Sequence, residues 1–289
     1  MGGTDSVTSA LVKGPKAGLL EKQVRDRYGQ IASGGGCCTS ASGEISCCSG
    51  SDASLELGYT SEELAGLPAG ANLGLGCGNP TALLSLTSGE VVLDLGSGAG
   101  IDCFLAAKKV GPRGRVIGVD MTPEMLARAR ANAQSGGYRN VEFRLGEIEH
   151  LPVADASVDV IVSNCVINLA SDKGAVYREA FRVLRAGGRL AVSDVVATRP
   201  FTKRERSDPA LWSSCSSGAI SVTTMKNLLR RAGFKKIGIE VDEAKTPPKT
   251  LTEQRSLGVI PARILAVKSP ERRSPQARTA PHRSRRNAR

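Results

Sequence analysis

The sequence is poor in aromatic residues and has no long apolar run. Phe, Trp and Tyr make up only 3% of its 289 residues, too few to suggest a protein that stacks successive nucleic-acid bases on side-chain rings. No stretch of about eighteen apolar residues occurs, so no transmembrane helix is predicted. The first residues also lack the basic and then apolar pattern of a secretory signal peptide. These absences predict a cytoplasmic protein with no membrane partner.

Positive charge is unevenly distributed along the chain. The formal net charge is +11, but residues 269–289 alone hold seven arginines against one acid, Glu271. This C-terminal segment is rich in Pro, Ser and Arg and has almost no apolar residue, so we expect it to be disordered rather than packed. The rest of the chain is only mildly basic, and no specific nucleic-acid partner is therefore expected.

The eight cysteines need a role other than structural disulfides in a protein that is expected to be cytoplasmic. Four of them form the adjacent pairs Cys37–Cys38 and Cys47–Cys48, within a Gly- and Ser-rich segment that should be a mobile loop. Closely spaced cysteines leave a metal site in this loop open as an alternative. A short amphipathic helix is predicted at 20–31, and these features together define an N-terminal region at 1–55.

A glycine-rich turn between a strand and a helix is the most informative motif. Val91–Leu95 has the pattern of a buried strand, and Asp94 lies near its end. Three alternating glycines follow within residues 96–100, and glycines at this spacing let the backbone approach a ligand closely. No Gly-Lys-Ser or Gly-Lys-Thr comes next, which argues against a nucleoside-triphosphate loop. A second strand ends at Asp120, where a carboxylate can bind a ribose diol.

The pattern Asp-x-Gly-x-Gly-x-Gly with a later acid resembles the S-adenosylmethionine site of class I methyltransferases. A nicotinamide-binding or purely structural Rossmann unit is the alternative. Apolar strand patterns alternate with helical ones through the following residues. Such repetition predicts an α/β, Rossmann-like fold with a mainly parallel, doubly wound sheet. We therefore expect a methyltransferase core at 56–200 and a small C-terminal α+β cap at 201–268.

Three further cysteines stand where a thiol would be accessible. Cys165 comes just after a predicted strand, and strand ends carry ligands in open α/β sheets. Cys77 and Cys215 lie in Gly- and Ser-rich loops, whose neighbours are too polar or too flexible for a hydrophobic core. All three are far apart in the sequence, unlike the close pairs of structural zinc sites. Cys103, in contrast, lies on an apolar helix and is expected to be a small buried residue.

The sequences around these three cysteines resemble those of the arsenite methyltransferases. Gly-Leu-Gly-Cys-Gly-Asn-Pro contains Cys77, Ser-Asn-Cys-Val-Ile-Asn-Leu contains Cys165, and Trp-x-x-Cys-x-x-Gly-Ala contains Cys215. The resemblance extends from about residue 20 to 268. It implies methyl transfer from S-adenosylmethionine to trivalent arsenic, giving mono- and then dimethylated products in the detoxification of arsenite and methylarsenite.

The same resemblance implies roles for individual residues. Cys77, Cys165 and Cys215 would be the arsenic ligands, and Cys38 would be the redox partner of Cys77. An external thiol reductant, thioredoxin or glutathione, would reopen their disulfide, and the protein would act as a monomer. The residues expected to bind the cofactor are Asp94, Gly96, Ser97, Gly98, Gly100, Asp120, Met121, Glu147, Ile148 and Asn164.

The chemistry of arsenic agrees with these residue types. Trivalent arsenic is soft and prefers thiolates, and three sulfurs leave its lone pair free as the nucleophile. No proton has to be removed from such an acceptor, which suits a chain whose only histidines are His150 and His282. Two alternatives stay open: methyl transfer to another small acceptor, such as a thiol or a quinone ring, and a non-catalytic thiol protein that binds arsenic or a metal.

Overall fold

The structure is a computed structural model that describes residues 16–34, 54–242 and 257–270. Cys37, Cys38, Cys47, Cys48 and the arginine-rich segment beyond residue 270 lie outside the described residues, and so do the predictions made for them. The described helices are α1 (Lys16–Ala32), α2 (Ser61–Ala65), α3 (Ile101–Val110), α4 (Pro123–Ser135), α5 (Lys173–Val183), α6 (Lys203–Arg206), α7 (Pro209–Ser213) and α8 (Val222–Ala232). None of them is both long and apolar enough to span a bilayer.

One seven-stranded sheet forms the centre of the described part of the chain. Its strands are β1 (Val91–Leu95), β2 (Arg115–Asp120), β3 (Val141–Leu145), β4 (Val158–Asn164), β5 (Leu184–Ala197), β6 (Lys235–Val241) and β7 (Val259–Val267). Their order across the sheet is β3-β2-β1-β4-β5-β7-β6. β1 to β5 run parallel, whereas β7 pairs antiparallel with both β5 and β6. The predicted α/β fold with a mainly parallel sheet is confirmed.

Helices cover both faces of the sheet because successive strand residues point to opposite sides. On one face, Leu93 of β1 belongs to a buried cluster with Tyr177 of α5 and Leu229 of α8. On the other face, Val92 belongs to a cluster with Phe104 of α3. The apolar run that predicted a buried strand therefore supplies side chains to two separate cores, as is typical of a doubly wound sheet.

The boundary between α5 and β5 differs from the sequence pattern, which predicts a helix over 173–184 and a strand over 189–194. The helix ends at Val183, and β5 begins at once at Leu184. The glycine pair Gly187-Gly188, which was expected to separate the two elements, lies inside β5. An irregularity in the β4–β5 pairing accommodates these glycines, in keeping with the tendency of strand glycines to mark bulges.

The C-terminal region adds strands to the sheet and also covers the side at which the parallel strands end. Strands β6 and β7, which fall within the predicted cap at 201–268, extend the main sheet beyond β5. The short helices α6 and α7 lie outside the sheet, and α7 contacts α1. This contact places the loop after α7 beside the N-terminal helix, above the carboxyl ends of the parallel strands.

Candidate active site

A cavity of about 250 Å³ opens at the carboxyl ends of β1, β2 and β4. β1 and β4 are neighbours in the sheet, and the chain leaves β1 toward β2 on one side but leaves β4 toward β5 on the other. Open α/β sheets bind ligands at such a switch point. Helix α1 covers the cavity from above, with Val24 and Tyr28 among the lining residues. The lining also includes nine of the ten residues predicted to bind the cofactor: Asp94, Gly96, Ser97, Gly98, Asp120, Met121, Glu147, Ile148 and Asn164.

The glycine loop is shaped for close backbone approach. Gly96, Gly98 and Gly100 have φ values of 71°, 51° and 98°, in the left-handed region that other residues avoid. A Cβ on Gly96 would lie 2.6 Å from the Cγ1 of Val166, and one on Gly100 would lie 2.7 Å from the ring of Phe104. Gly100, the tenth predicted residue, is outside the cavity lining, so its contribution is to the turn itself.

Two buried carboxylates stand at the floor of the cavity. Asp94 and Asp102 both line it and are almost fully buried. Burial, reinforced by Asp102, raises the pKa of Asp94 well above its ordinary value. Burial also raises the pKa of Asp102 to about 6, although hydrogen bonds from Tyr59 and Asn164 oppose the shift. Because burying a carboxylate is costly without a partner of opposite charge, this end of the cavity favours a cationic ligand group.

Asp120, at the end of β2, and Ser97, in the glycine loop, add polar groups to the cavity. The carboxylate of Asp120 accepts hydrogen bonds from the backbone N–H groups of Gly98 and Thr122, each at 2.9 Å. These bonds oppose the effect of burial, which raises the pKa of Asp120. The hydroxyl of Ser97 is buried and has no hydrogen-bond partner among the described residues. An unsatisfied hydroxyl beside close-packed glycines indicates a cavity that fits a polar cofactor.

The opposite end of the cavity meets helix α1. Ile148 is buried, while Glu147 is about half exposed and lies 3.5 Å from Arg25 of α1. A second arginine of the same helix, Arg27, donates a hydrogen bond of 2.7 Å to the hydroxyl of Ser213 in α7. Helix α1 thus connects the end of the cavity at Glu147 and Ile148 with the loop that carries Cys215.

Three cysteines that are distant in the sequence meet beside this cavity. Cys165 directly follows β4 and Cys215 follows α7, and both line the cavity. Cys77 is joined to Cys165 by a disulfide. The thiol of Cys215 donates a hydrogen bond of 2.9 Å to the carbonyl of Cys165. Cys165 and Cys215 have φ values of 56° and 62°, a backbone conformation that is rare for residues other than glycine and is concentrated at functional sites.

The disulfide defines the redox state of this sulfur cluster, by which we mean Cys77, Cys165 and Cys215. In the structure two of its sulfurs are bonded to each other, so only Cys215 is a free thiol. Cys77 and Cys215 are buried in an apolar cluster that includes Trp212, so the accessible thiols predicted from their loops are not found. Burial raises the pKa of the Cys215 thiol far above its ordinary value. The pairing also differs from the implied bond between Cys77 and Cys38, which lies outside the described residues. Cys103 is free and buried on α3, as predicted.

Sequence reasoning missed several residues around the sulfur cluster. A carboxylate oxygen of Asp194 lies within 4.8 Å of the sulfurs of Cys77 and Cys165. Asp194 is buried, and burial raises its pKa to about 6. Lys173 is also buried, and its amine stands 5.2 Å from the ring centroid of Trp212. For Asp194, there was one signal in the sequence, its position at the end of a predicted strand. For Lys173, the sequence of α5 gave no reason to expect a buried lysine.

Asn164, which was predicted to bind the cofactor, lines the cavity, and its side chain is hydrogen-bonded to other residues of the protein. Its Oδ1 accepts a hydrogen bond from the N–H of Cys77 at 3.0 Å, and its Nδ2 donates to the carbonyl of Gly78 at 2.7 Å. The same Nδ2 donates to the hydroxyl of Tyr59 at 2.9 Å. These contacts hold the loop of Cys77, whereas the sequence predicted only that Asn164 binds the cofactor.

Comparisons with known proteins agree with this geometry. Residues 86–233 match the family described as "Methyltransferase domain". An arsenite methyltransferase of Halobacterium salinarum is 52% identical over 233 residues, covering 78% of this chain and 60% of that protein. Another, of Aquipseudomonas alcaligenes, is 49% identical over 166 residues, covering 55% of this chain and 47% of that protein. The chain thus spans between about half and three-fifths of the length of these two curated relatives.

A solved structure gives the same result and is matched over a larger share of its own length. The crystal structure of an arsenic(III) S-adenosylmethionine methyltransferase from Chlamydomonas reinhardtii is similar with a TM-score of 0.56 and 34% identity. The match covers 75% of this chain and 73% of the algal one. The chain therefore belongs to the arsenite methyltransferase family of the class I methyltransferases.

Proposed function

We propose that the protein transfers methyl groups from S-adenosylmethionine to trivalent arsenic, converting arsenite to mono- and dimethylated products. The observation that carries this proposal is the composition of one cavity. It is lined at one side by the glycine loop and its carboxylates and at the other by Cys165 and Cys215. A cofactor cradle and a sulfur cluster in the same cavity are what methyl transfer to a thiolate-bound acceptor requires.

The cofactor side follows from the residues that line the cavity. The glycine loop admits the methionine end, where Asp94 and Asp102 favour its ammonium group. Asp120 would bind the ribose diol, and Glu147 with Ile148 would contact the adenine. The bound cofactor supplies an electrophilic methyl group on a sulfonium sulfur. The protein then contributes orientation and exclusion of water, and α1 helps to enclose the cavity through Val24 and Tyr28.

The acceptor side follows from the sulfur cluster. When reduced, Cys77, Cys165 and Cys215 offer three sulfurs to one arsenic atom, displacing its three oxygens. Thiolates suit this soft element better than the surrounding oxygen ligands do. The arsenic lone pair then forms the As–C bond while the S–CH₃ bond breaks, so the acceptor loses no proton.

Methylation raises arsenic formally from the trivalent to the pentavalent state, and two electrons must return before the next cycle. A pair of thiolates supplies them by becoming a disulfide, which an external dithiol or glutathione then reduces. The disulfide between Cys77 and Cys165 supports such a role for two sulfurs at the site itself. Cys38 is proposed as the further partner that exchanges with Cys77 from the N-terminal segment.

The experiment combines arsenite, S-adenosylmethionine and a thiol reductant with wild type, C165S and C215S. We expect wild type to form methylated arsenic and both variants to lose this activity while they keep cofactor affinity. C103S is the matched control, because Cys103 is outside the sulfur cluster and serine can still donate to Asp94 as the thiol does at 3.2 Å. Methylated arsenic should be measured by chromatography coupled to mass spectrometry.

The two alternative functions give different results in the same assay. A non-catalytic thiol protein would bind arsenite without forming methylated products. A methyltransferase for another small acceptor would bind the cofactor and leave arsenite unchanged and unbound. Loss of cofactor affinity in both C165S and C215S would show that these cysteines are structural.

A further inference from the structure

A continuous chain of hydrogen bonds joins the cofactor cavity to the backbone of Cys77. The hydroxyl of Tyr59 donates to Oδ1 of Asp102 at 2.9 Å and accepts from Nδ2 of Asn164 at 2.9 Å. Asn164 then accepts from the N–H of Cys77 and donates to the carbonyl of Gly78. Tyr59 and Asp102 are almost fully buried, so these bonds form in a region of low dielectric, where they are strong.

The Cys77 end of this chain is tightly constrained. Gly76 has a φ of 127°, and a Cβ at this position would lie 2.8 Å from Nδ2 of Asn164. A Cβ on Gly78 would lie 2.8 Å from the hydroxyl of Ser193. The loop therefore has no room for side chains on either side of Cys77. Because the side-chain amide of Asn164 bonds to the N–H of Cys77 and to the carbonyl of Gly78, any shift of this amide moves the backbone of Cys77.

The other end of the chain faces the ligand. Asp102 lines the cavity beside Asp94, at the end that favours a cationic group. Burial and the nearby carboxylate of Asp102 raise the pKa of Tyr59 well above its ordinary value, so its hydroxyl stays protonated and keeps donating. A cation that pairs with Asp102 competes with this hydroxyl for the carboxylate and thereby acts on Asn164.

We propose that Tyr59, Asn164 and Asp102 form a positioning relay, through which a cation bound in the cofactor cavity sets the position of Cys77 for arsenic capture. The relay rests on the proposed function, because it needs a cationic cofactor and an arsenic ligand at Cys77. It adds a coupling between two binding steps, and such coupling must act equally in both directions. Tyr59 and Asn164 are positioning residues in this scheme, since they act on Cys77 and not on the reacting atoms.

The test compares the full-length wild type with Y59F, both kept reduced by a phosphine. Phenylalanine keeps the ring and removes the hydroxyl with its two 2.9 Å bonds to Asp102 and Asn164. Only the longer direct bond then joins the two residues, from Nδ2 of Asn164 to Oδ2 of Asp102 at 3.3 Å. Arsenite affinity is measured with and without saturating S-adenosylhomocysteine, which retains the ammonium group and transfers no methyl. The single tryptophan of the chain, Trp212, is buried close to Cys215 and provides the fluorescence signal.

We expect S-adenosylhomocysteine to raise the arsenite affinity of wild type about fivefold or more, within the usual range of coupling between sites. In Y59F this ratio should fall clearly below that of wild type and toward one, because only the longer Asn164–Asp102 bond remains, while the affinity for S-adenosylhomocysteine itself is retained. Turnover should show a lower kcat with little change in the KM for the cofactor. Y138F is the matched control, because Tyr138 packs against Phe104 away from the relay, and it should keep the coupling of wild type.

Each result has a distinct meaning. An equal ratio in wild type and Y59F, or no coupling in wild type, overturns the relay and leaves the proposed function intact. Failure of reduced wild type to bind arsenite overturns the proposed function and the relay with it. Circular dichroism and thermal unfolding check the fold of Y59F; if that variant is unfolded, D102N makes the same test, because it removes the charge on which the cation acts.

Discussion

The first glycine of the loop offers the sharpest test of how the cofactor cradle and the sulfur cluster are linked. Replacing Gly96 with alanine has two separable effects. Its φ of 71° places alanine in the left-handed region, which costs about 1–2 kcal/mol. The new Cβ would also lie 2.6 Å from Cγ1 of Val166 and close to Cγ2. Overpacking of this kind costs about 1–3 kcal/mol, so we expect a total destabilisation of about 3 kcal/mol.

Gly137 provides a matched control for the backbone effect. Its φ is 68°, and a Cβ at this position would have nothing within 4 Å. G137A should therefore show only the conformational cost, about 1–2 kcal/mol. The free energy of unfolding would be measured by urea titration under reducing conditions, with the fluorescence of Trp212 as the signal. The difference between the two variants isolates the collision with Val166.

The double variant G96A/V166A tests whether this collision is the cause. Removing both γ-carbons of Val166 should recover part of the stability lost in G96A, with an interaction energy of about 1 kcal/mol or more. Since Val166 follows Cys165, G96A should also weaken arsenite binding along with cofactor binding. The reasoning is refuted if G96A is no less stable than G137A, or if V166A brings no recovery.

Two further predictions concern the sulfur cluster and the buried lysine. Protein in which Cys77 and Cys165 are disulfide-bonded should bind no arsenite, and reduction by a phosphine should restore binding. Native mass spectrometry measures the bound arsenic, and arsenic adducts on the oxidised protein would contradict the prediction. Burial lowers the pKa of Lys173 from 10.5 to about 8, so the unfolded chain binds more protons than the folded chain between these values. Relative to K173M, the free energy of unfolding of wild type should therefore rise with pH across this interval, by at most about 1.4 kcal/mol per pH unit. A fall with pH would be inconsistent with a buried ammonium group, and so would urea midpoints that differ between the two proteins by the same amount at every pH.

The parts of the fold that follow local rules could be predicted from the sequence. The strand of Val91–Leu95, the glycine turn and the helix from Ile101 occur as expected, because an apolar run, alternate glycines and a helical period each have one main structural solution. The boundary before β5 could not be predicted, since a glycine pair signals a helix stop and a strand bulge equally well. Only the pairing with β4 decides between them.

The residues of the site likewise include some that could be predicted from the sequence and some that could not. Cys165 was assigned to a strand end, and the topology of parallel sheets then places it at the ligand edge. The nearness of Cys77 and Cys215 came from resemblance, because loops give no distance information. Tyr59 and Asp102 were missed for a physical reason: their significance lies in hydrogen bonds across separate loops and helices, which no local pattern records.

The burial of the sulfur cluster bears on which ion it selects. The Cys215 thiol has a strongly raised pKa and donates a hydrogen bond to the Cys165 carbonyl, so it is protonated when free. A divalent metal needs thiolates and must release those protons, which burial opposes. Arsenite carries its own hydroxyl groups, and each thiol proton leaves with one of them as water. Capture then changes no net charge in the buried site. On this reasoning burial disfavours metal cations much more than arsenite, and loading arsenite needs no separate base.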